Sequence, residues 1–437
     1  MANTNMPANL HSQPLLFPED DFGPSRDKTA STFVDNMRLP VHRWFRYSAG
    51  FSAQWAEAVI AEAQRSGRVT VLDPFAGAGT TLLAAEKLGA ESYGVEAHPF
   101  VARMARAKLL YRSDPDAYVK KAREVRGHAR HLRGLGCEYP PLIQKCFKAE
   151  TLEYLDHLRR AWENARDETP ASELVWLTLV SILRPVSHAG TAPWQYVLPR
   201  KAKKSALEPM SAFDQMTRTV VADMQAVGTV AGPHAVLVED DARVCAGVPD
   251  AFASLVITSP PYANNYDYAD ATRLEMCFMR LIDGWGDLQG AVRNRLVRSC
   301  SQHVPESAVD LDEALAAPEL DAVRPAVTEV CRQLAHVRLE KGGKKTYHLM
   351  VACYFLDIAR VWQALRRVCK RPSRACFVIG DSAPYGVYVP VIEWTGALAK
   401  AAGFESFTFQ KTRDRNVKWK NRKHRVPLCE GRLWVQG

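Results

Sequence analysis

Val69-Thr70-Val71-Leu72-Asp73-Pro74-Phe75-Ala76-Gly77-Ala78-Gly79-Thr80-Thr81 is the stretch that decides the fold. An apolar, β-branched run ends in an acid and a proline, and two glycines follow, one residue apart. The pattern predicts a buried strand, a tight turn and a helix over Thr80–Leu88. Glycine at 77 and 79 frees the turn to adopt backbone angles closed to other residues and lets a ligand approach the main chain. The helix start presents its positive end to that turn. Gly89 stands where a helix C-terminal cap is expected. Ser92–Glu96 is the next strand, and Pro99 opens a helix over Phe100–Tyr111. Upstream, Ser52 is the expected N-cap of a helix over Ala53–Ser66. This alternation begins a doubly wound α/β fold.

Two common phosphate-binding loops are excluded. Thr80-Thr81 stands where a P-loop needs Lys-Ser/Thr, and the third glycine of a dinucleotide fingerprint is missing. Glu96, 23 residues after Asp73, ends the second strand, where an acid suits a pair of ribose hydroxyls.

Downstream, Ala235–Val238 predicts a strand ending at Glu239-Asp240-Asp241. Ala253–Thr258 predicts another, and it delivers Ser259-Pro260-Pro261-Tyr262. An exocyclic base amine is a poor nucleophile because its lone pair is delocalised into the ring. The Ser259 side chain and the Pro260 carbonyl can each accept one N–H and so favour a tetrahedral nitrogen. The prolines fix φ and leave their carbonyls free to point at a base. Tyr262 offers a ring on which an extruded base can stack. The chain has no Pro-Cys dipeptide, which argues against a thiolate attacking cytosine C5.

Asp73–Tyr262 resembles the bacterial DNA methyltransferases that modify cytosine N4 or adenine N6. The likeness covers Val41–Ser52, Asp73–Glu96 and Asp241–Tyr262, and more loosely Ala375–Val435. It implies a Rossmann-like methyltransferase fold: a mostly parallel seven-stranded sheet closed by an antiparallel hairpin, plus a helical insertion. It implies S-adenosylmethionine as cofactor, with the methionine end at the glycine turn. Phe51, Asp73, Phe75, Ala76, Gly77, Gly79, Thr80, Thr81, Glu96 and Asp241 are the candidate cofactor residues. Asp241, or alternatively Asp240, would accept from the adenine amino group. Ser259, Pro260, Pro261 and Tyr262 are the candidate catalytic residues. In this family a serine at the first motif position goes with cytosine N4, and adenine N6 is the alternative. RNA or protein-amide methylation, or a non-catalytic DNA-binding subunit, are further readings; Ser259 argues against the first two and the intact motifs against the last.

The chain has 437 residues and a formal net charge of +9, with 47% hydrophobic and 24% charged residues, the profile of a folded domain. A positive balance favours a polyanionic partner. Lys411–Arg425 carries eight Lys or Arg against Asp414 alone. Lys120–Arg133, Arg200–Lys204 and Arg293–Arg298 are smaller basic clusters. Arg200, Lys201, Lys203, Lys204, Lys418, Lys420, Arg422 and Lys423 are the candidate DNA contacts. The ten cysteines lack zinc-like spacing and read as reduced cytoplasmic thiols. No run of about 18 apolar residues predicts a membrane span. DNA is the expected partner, with a cognate restriction or defence component and a monomer or dimer left open.

Residues 1–30 read as a disordered leader and 31–112 as the cofactor-binding part. Residues 113–232 read as a helical insertion, and 233–437 as the catalytic part with a second helical insertion near 283–345. Target recognition is expected in Ser113–Gly232, in Asp283–Lys345 or in the C-terminal basic stretch. Trp194, Gln195 and Tyr196 beside Arg200–Lys204 favour the first. His42 and His188 read as structural. Asn264–Tyr268 reads either as an edge of the base pocket or as a polar loop.

Overall fold

The computed structural model describes residues 33–47, 50–192, 196–228, 231–415 and 426–437. The expected leader, Trp194, Gln195, Lys418, Lys420, Arg422 and Lys423 lie outside the described residues.

Seven strands form one sheet: β1 (Thr70–Asp73), β2 (Glu91–Val95), β5 (Val236–Val238), β6 (Ala253–Thr258), β7 (Cys369–Gly380), β8 (Ser406–Arg415) and β9 (Leu428–Gln436). Their order is β5-β2-β1-β6-β7-β9-β8. Strands β5, β2, β1, β6 and β7 pair in parallel, and β9 runs antiparallel to both β7 and β8. This is the expected sheet with its closing hairpin. The strand order reverses between β1 and β6, the place where open α/β sheets bind ligands beyond the strand carboxyl ends. Asp73 and Thr258 end those two strands.

Period-two alternation assigns the two faces. Val71, Leu255, Ile257 and Cys376 pack under Trp55 and Ile60 of helix α1 (Ala53–Gln64) and Ala84 and Ala85 of α2 (Thr80–Lys87). Leu72, Val256, Ala375 and Phe377 face the other way, onto a long helix over Tyr347–Val368 and a second over Val391–Ala401. Trp362 stacks on Phe377 at 4.4 Å between ring centroids. Ser52 caps α1 as expected, accepting from the Trp55 N–H at 3.3 Å. Gly94 lets α2 close onto β2: a Cβ there would lie 2.7 Å from Leu82 Cδ1.

Between β2 and β5 run α3 (Pro99–Leu109), α4 (Pro115–Ala129), α5 (Pro141–Cys146), α6 (Ala149–Ala165), α7 (Pro170–Val186) and α8 (Pro209–Val227). Their apolar faces share one core with Val41, Trp44 and Phe45. Residues 113–232, read as a helical insertion, also hold a short hairpin, β3 (Ala189–Thr191) with β4 (Val197–Ala202). Pro185 belongs to the last turn of α7. In the segment near 283–345, read as a second helical insertion, Arg324–Glu340 is a long helix and the stretch before it is a series of short turns. Glycines 284, 286 and 290 and prolines 305 and 318 break it up.

Candidate active site

The glycine turn is built around Asp73. Its buried carboxylate accepts from the Phe75 N–H at 3.0 Å, the Thr81 hydroxyl at 2.7 Å and the Thr258 hydroxyl at 2.6 Å. One side chain therefore ties β1, the first turn of α2 and the end of β6 together. Burial raises its pKa to about 6, opposed by the hydrogen bonds from Thr258, Thr81 and Phe75. Asp73 thus holds the two motifs together, and its lone pairs are largely used inside the protein. Gly77 and Gly79 adopt φ of 51° and 81°, which explains both glycines. Ala76 donates to the Val95 carbonyl at 2.9 Å, fixing the turn against β2.

Glu96 follows β2, and its carboxylate accepts from the Gly77 N–H at 2.8 Å and the His98 N–H at 2.9 Å. Burial raises its pKa to about 7, against those two hydrogen bonds. Each oxygen keeps a lone pair for a ligand. The Tyr47 ring lies 3.6 Å from where a Gly77 Cβ would stand, and burial lifts its phenol pKa well above the ordinary value. The turn, the acid and the ring form one wall.

The second motif is anchored from three sides. The Ser259 hydroxyl donates to the Val378 carbonyl on β7 at 3.1 Å. The buried Tyr354 hydroxyl donates to the Pro261 carbonyl at 3.0 Å, and Ser382 donates to the Ala263 carbonyl. Among the described residues no donor holds the Pro260 carbonyl. The Arg415 guanidinium carbon lies 5.1 Å from the Tyr262 ring centroid. Burial keeps the Tyr262 phenol protonated, with a pKa far above the ordinary value.

Asn264–Tyr268 is a braced loop. Asn265 accepts from the Ser301 N–H at 2.9 Å. Asp267 is paired with Arg293 at 2.7 Å and His303 at 3.2 Å. Burial would raise its pKa, but the bonds from His303 and Arg293 outweigh it and hold the carboxyl at about 2. Tyr196, from the β3–β4 hairpin, accepts the Asp267 N–H at 2.8 Å and lies 5.3 Å from the Tyr266 ring. Tyr266 meets Tyr268 edge-on at 4.6 Å. The helical segment therefore reaches this loop through Tyr196.

Other candidates find different partners. The Asp241 carboxylate is gripped by Arg243 at 2.6 and 2.9 Å, and Arg243 also meets Asp357 at 3.2 Å. Asp240 accepts from the Gly247 N–H at 3.2 Å. Phe51 is buried edge-on against Trp55 at 5.5 Å and belongs to the core under α1. Lys203 is half-buried and donates to the Arg184 carbonyl at the end of α7. Arg200, Lys201 and Lys204 are exposed. In the Arg293–Arg298 cluster, read as a basic surface, Arg293 pairs internally with Asp267 and Arg298 with the buried Asp357 at 2.6 Å, while Arg295 is exposed and meets Glu239 at 3.0 Å.

Sequence reasoning gave no site role to Tyr354, Ser382 or Arg415, and named Thr258 only as the end of a strand and Tyr196 only for target recognition. Thr258 directly precedes the second motif, so its place on the strand was a usable signal. The other four come from distant segments, and only the fold brings them to the site.

A family model described as DNA methylase matches residues 24–107. The Type II methyltransferase M.BsoBI of Geobacillus stearothermophilus is 23% identical over 422 residues, covering 86% of this chain and 80% of its own. The Type II methyltransferase M.AvaI of Nostoc sp. is 23% identical over 407 residues, covering 85% and 81%. M.AvaI of Anabaena variabilis matches to the same extent. No solved structure matches significantly. Its sheet order, its two strand-end motifs and these matches support the DNA amino-methyltransferase family, whose methyl donor is S-adenosylmethionine.

Proposed function

We propose that this site-specific DNA methyltransferase modifies the exocyclic N4 amine of a cytosine extruded from the duplex. The observation that carries the reading is the Ser259 hydrogen bond. A hydroxyl has one proton, and Ser259 gives it to the Val378 carbonyl at 3.1 Å. What it offers a substrate is lone pairs, so it accepts an amine N–H. The Pro260 carbonyl is the matching acceptor for the second N–H. Two acceptors drawing on both N–H groups pyramidalise the nitrogen and localise its lone pair.

Bound S-adenosylmethionine supplies an electrophilic methyl group on a sulfonium, and transfer leaves a neutral thioether. The chain's residues fit that group. The first-turn N–H groups of α2 suit its carboxylate. Glu96 retains acceptor capacity for ribose hydroxyls beside the Gly77–Gly79 turn. Asp73 fixes this turn relative to Ser259 through Thr81 and Thr258. As the nitrogen–carbon bond forms, positive charge appears on the amine, and one of its protons, now strongly acidic, leaves to water. Tyr262 holds the base plane against its ring. The relatives' description as Type II methyltransferases supports a restriction–modification setting.

The test is nucleoside mass spectrometry on DNA from a methylation-free host expressing the chain or Ser259→Ala. N4-methyldeoxycytidine that disappears in the variant is expected. N6-methyldeoxyadenosine in its place would overturn the base assignment, and product undiminished by Ser259→Ala would overturn the role of the hydroxyl.

A further inference from the structure

Arg415 is drawn to the second motif by three separate features of the closing hairpin. Strand β8 carries a register shift between Lys411 and Arg413, where Lys411 faces Gly431 and Arg413 already faces Glu430. Thr412 is the additional residue. Such a bulge flips the parity of the residues after it, so Arg415 faces the side it would otherwise turn away from. Gly380, near the end of β7, is the second feature. A Cβ there would lie 2.8 Å from the Cys429 carbonyl and 3.1 Å from Arg415 Nη1. Only glycine leaves a channel for the arginine to cross β9 and reach β7. The third is the anchoring of the fork. Nη1 donates to the Asp381 carbonyl at 2.9 Å, and Nε lies 3.7 Å from Glu430. The guanidinium then covers the Tyr262 ring at 5.1 Å.

We propose that Arg415 is a positioning residue that acts through Tyr262, clamping one ring face so that the extruded base stacks on the other. The inference rests on the reading of Tyr262 as the stacking platform, and it holds for cytosine or adenine alike. The planar guanidinium matters because it stacks while its edge stays bonded to a carbonyl. Glu430, also 2.7 Å from Arg413, supplies the countercharge, so the positive charge that develops on the base meets a compensated cation.

The experiment is a double-mutant cycle on the full chain with unmethylated bacteriophage DNA, following tritiated methyl transfer. Arg415→Met should lower kcat about tenfold, the scale of a partly desolvated cation–π contact. KM for DNA should change less than about twofold, and Arg415→Lys should recover only part of the loss. In the Tyr262→Ala background, Arg415→Met should change kcat by less than about twofold. Undiminished loss in that background would overturn the proposal while leaving the platform intact. An unchanged kcat in Tyr262→Ala alone would instead overturn the platform reading. A raised KM with a shallower salt dependence and normal kcat would make Arg415 a phosphate contact. Thermal melts of each variant separate these effects from misfolding, and Arg415→Lys, which keeps the charge, stands in if Arg415→Met does not fold.

Discussion

Replacing Thr258 with valine tests how the two motifs are held together. The substitution keeps the branched shape that suits β6 and removes one hydroxyl. That hydroxyl donates to Asp73 at 2.6 Å in a buried site. A hydrogen bond to a charged group is worth about 1.5–3 kcal/mol, and one to a neutral group about 0.5–1.5 kcal/mol. Asp73 decides which applies. Burial raises its folded pKa to about 6 from an ordinary 3.8. A carboxyl with a raised pKa contributes stability that is fully present below about pH 4 and lost as pH rises through about 6. Thr258 offsets part of that loss because it donates to the ionised form. Thr258→Val should therefore raise the Asp73 pKa further and cost most above pH 6.

Chain length sets the size of the shift. Unfolding entropy of about 2.1 cal/mol/K per residue gives roughly 0.9 kcal/mol/K for this chain, so ~2 kcal/mol lowers Tm by about 2 °C. Differential scanning calorimetry of both proteins at pH 8 and pH 5 should give a Tm gap of about 2–3 °C at pH 8 and about 1 °C or less at pH 5. Adding Asp73→Asn should flatten the pH dependence. A gap equal at the two pH values, or wider at pH 5, would refute the argument that Asp73 ionisation sets the cost.

Three further substitutions probe the rest of the site. Glu96→Gln should raise the dissociation constant for S-adenosylmethionine about tenfold or more, as lost charge-assisted bonds would. Because the Glu96 pKa sits at about 7, wild-type affinity should weaken below pH 7 while the variant stays flat between pH 6 and 8 in titration calorimetry. Asp223→Ala removes a buried carboxylate that accepts from Val41 N–H at 3.1 Å, Arg43 Nε at 3.0 Å and Trp44 Nε1 at 2.8 Å. It should destabilise by about 2–4 kcal/mol, less than a fully buried pair because Arg43 is part-exposed, and limited trypsinolysis should cut first at Arg43 or Arg46. Tyr354→Phe leaves the Pro261 carbonyl without its donor, and steady-state assays should find kcat reduced about fivefold with cofactor KM unchanged.

The sheet was legible because its strands are short, apolar and closed by glycine or acid. β6 falls on Ala253–Thr258, as its alternation indicates, and β5 falls within one residue of expectation. The β3–β4 hairpin was not legible. Its exposed edge residues, Arg200, Lys201 and Ala202, carry no apolar alternation, and its pairing depends on contacts with α7 and the loop at Asp267. The motif residues were found because they are adjacent in sequence. Their supports were not: Val378, Tyr354 and Ser382 lie more than 90 residues beyond the groups they hold. Asp73 was found for a ligand role, yet its hydrogen bonds run within the protein. A buried acid in a turn looks the same in sequence whether it binds a ligand or staples two strands.

Charge carries the same ambiguity, and the fold resolves it. A positive residue contributes to DNA affinity only where it faces phosphate without an internal partner. Arg293 and Arg298 fail on the second count, since each is committed to a buried carboxylate. Position sets the first count. The helix Tyr347–Val368 leads straight into β7, so it runs back along the sheet and its first residue stands at the carboxyl edge. Lys341 and Lys344, just before that helix, are exposed and have no ion pair among the described residues. Lys345 is near enough to influence Cys300, whose thiol contacts Asn265 of the loop after the second motif at 3.6 Å. Lys341, Lys344 and Lys345 thus precede the helix start at this edge, whereas Arg293 and Arg298 are folded into the body. The chain's excess of nine positive charges measures neither group.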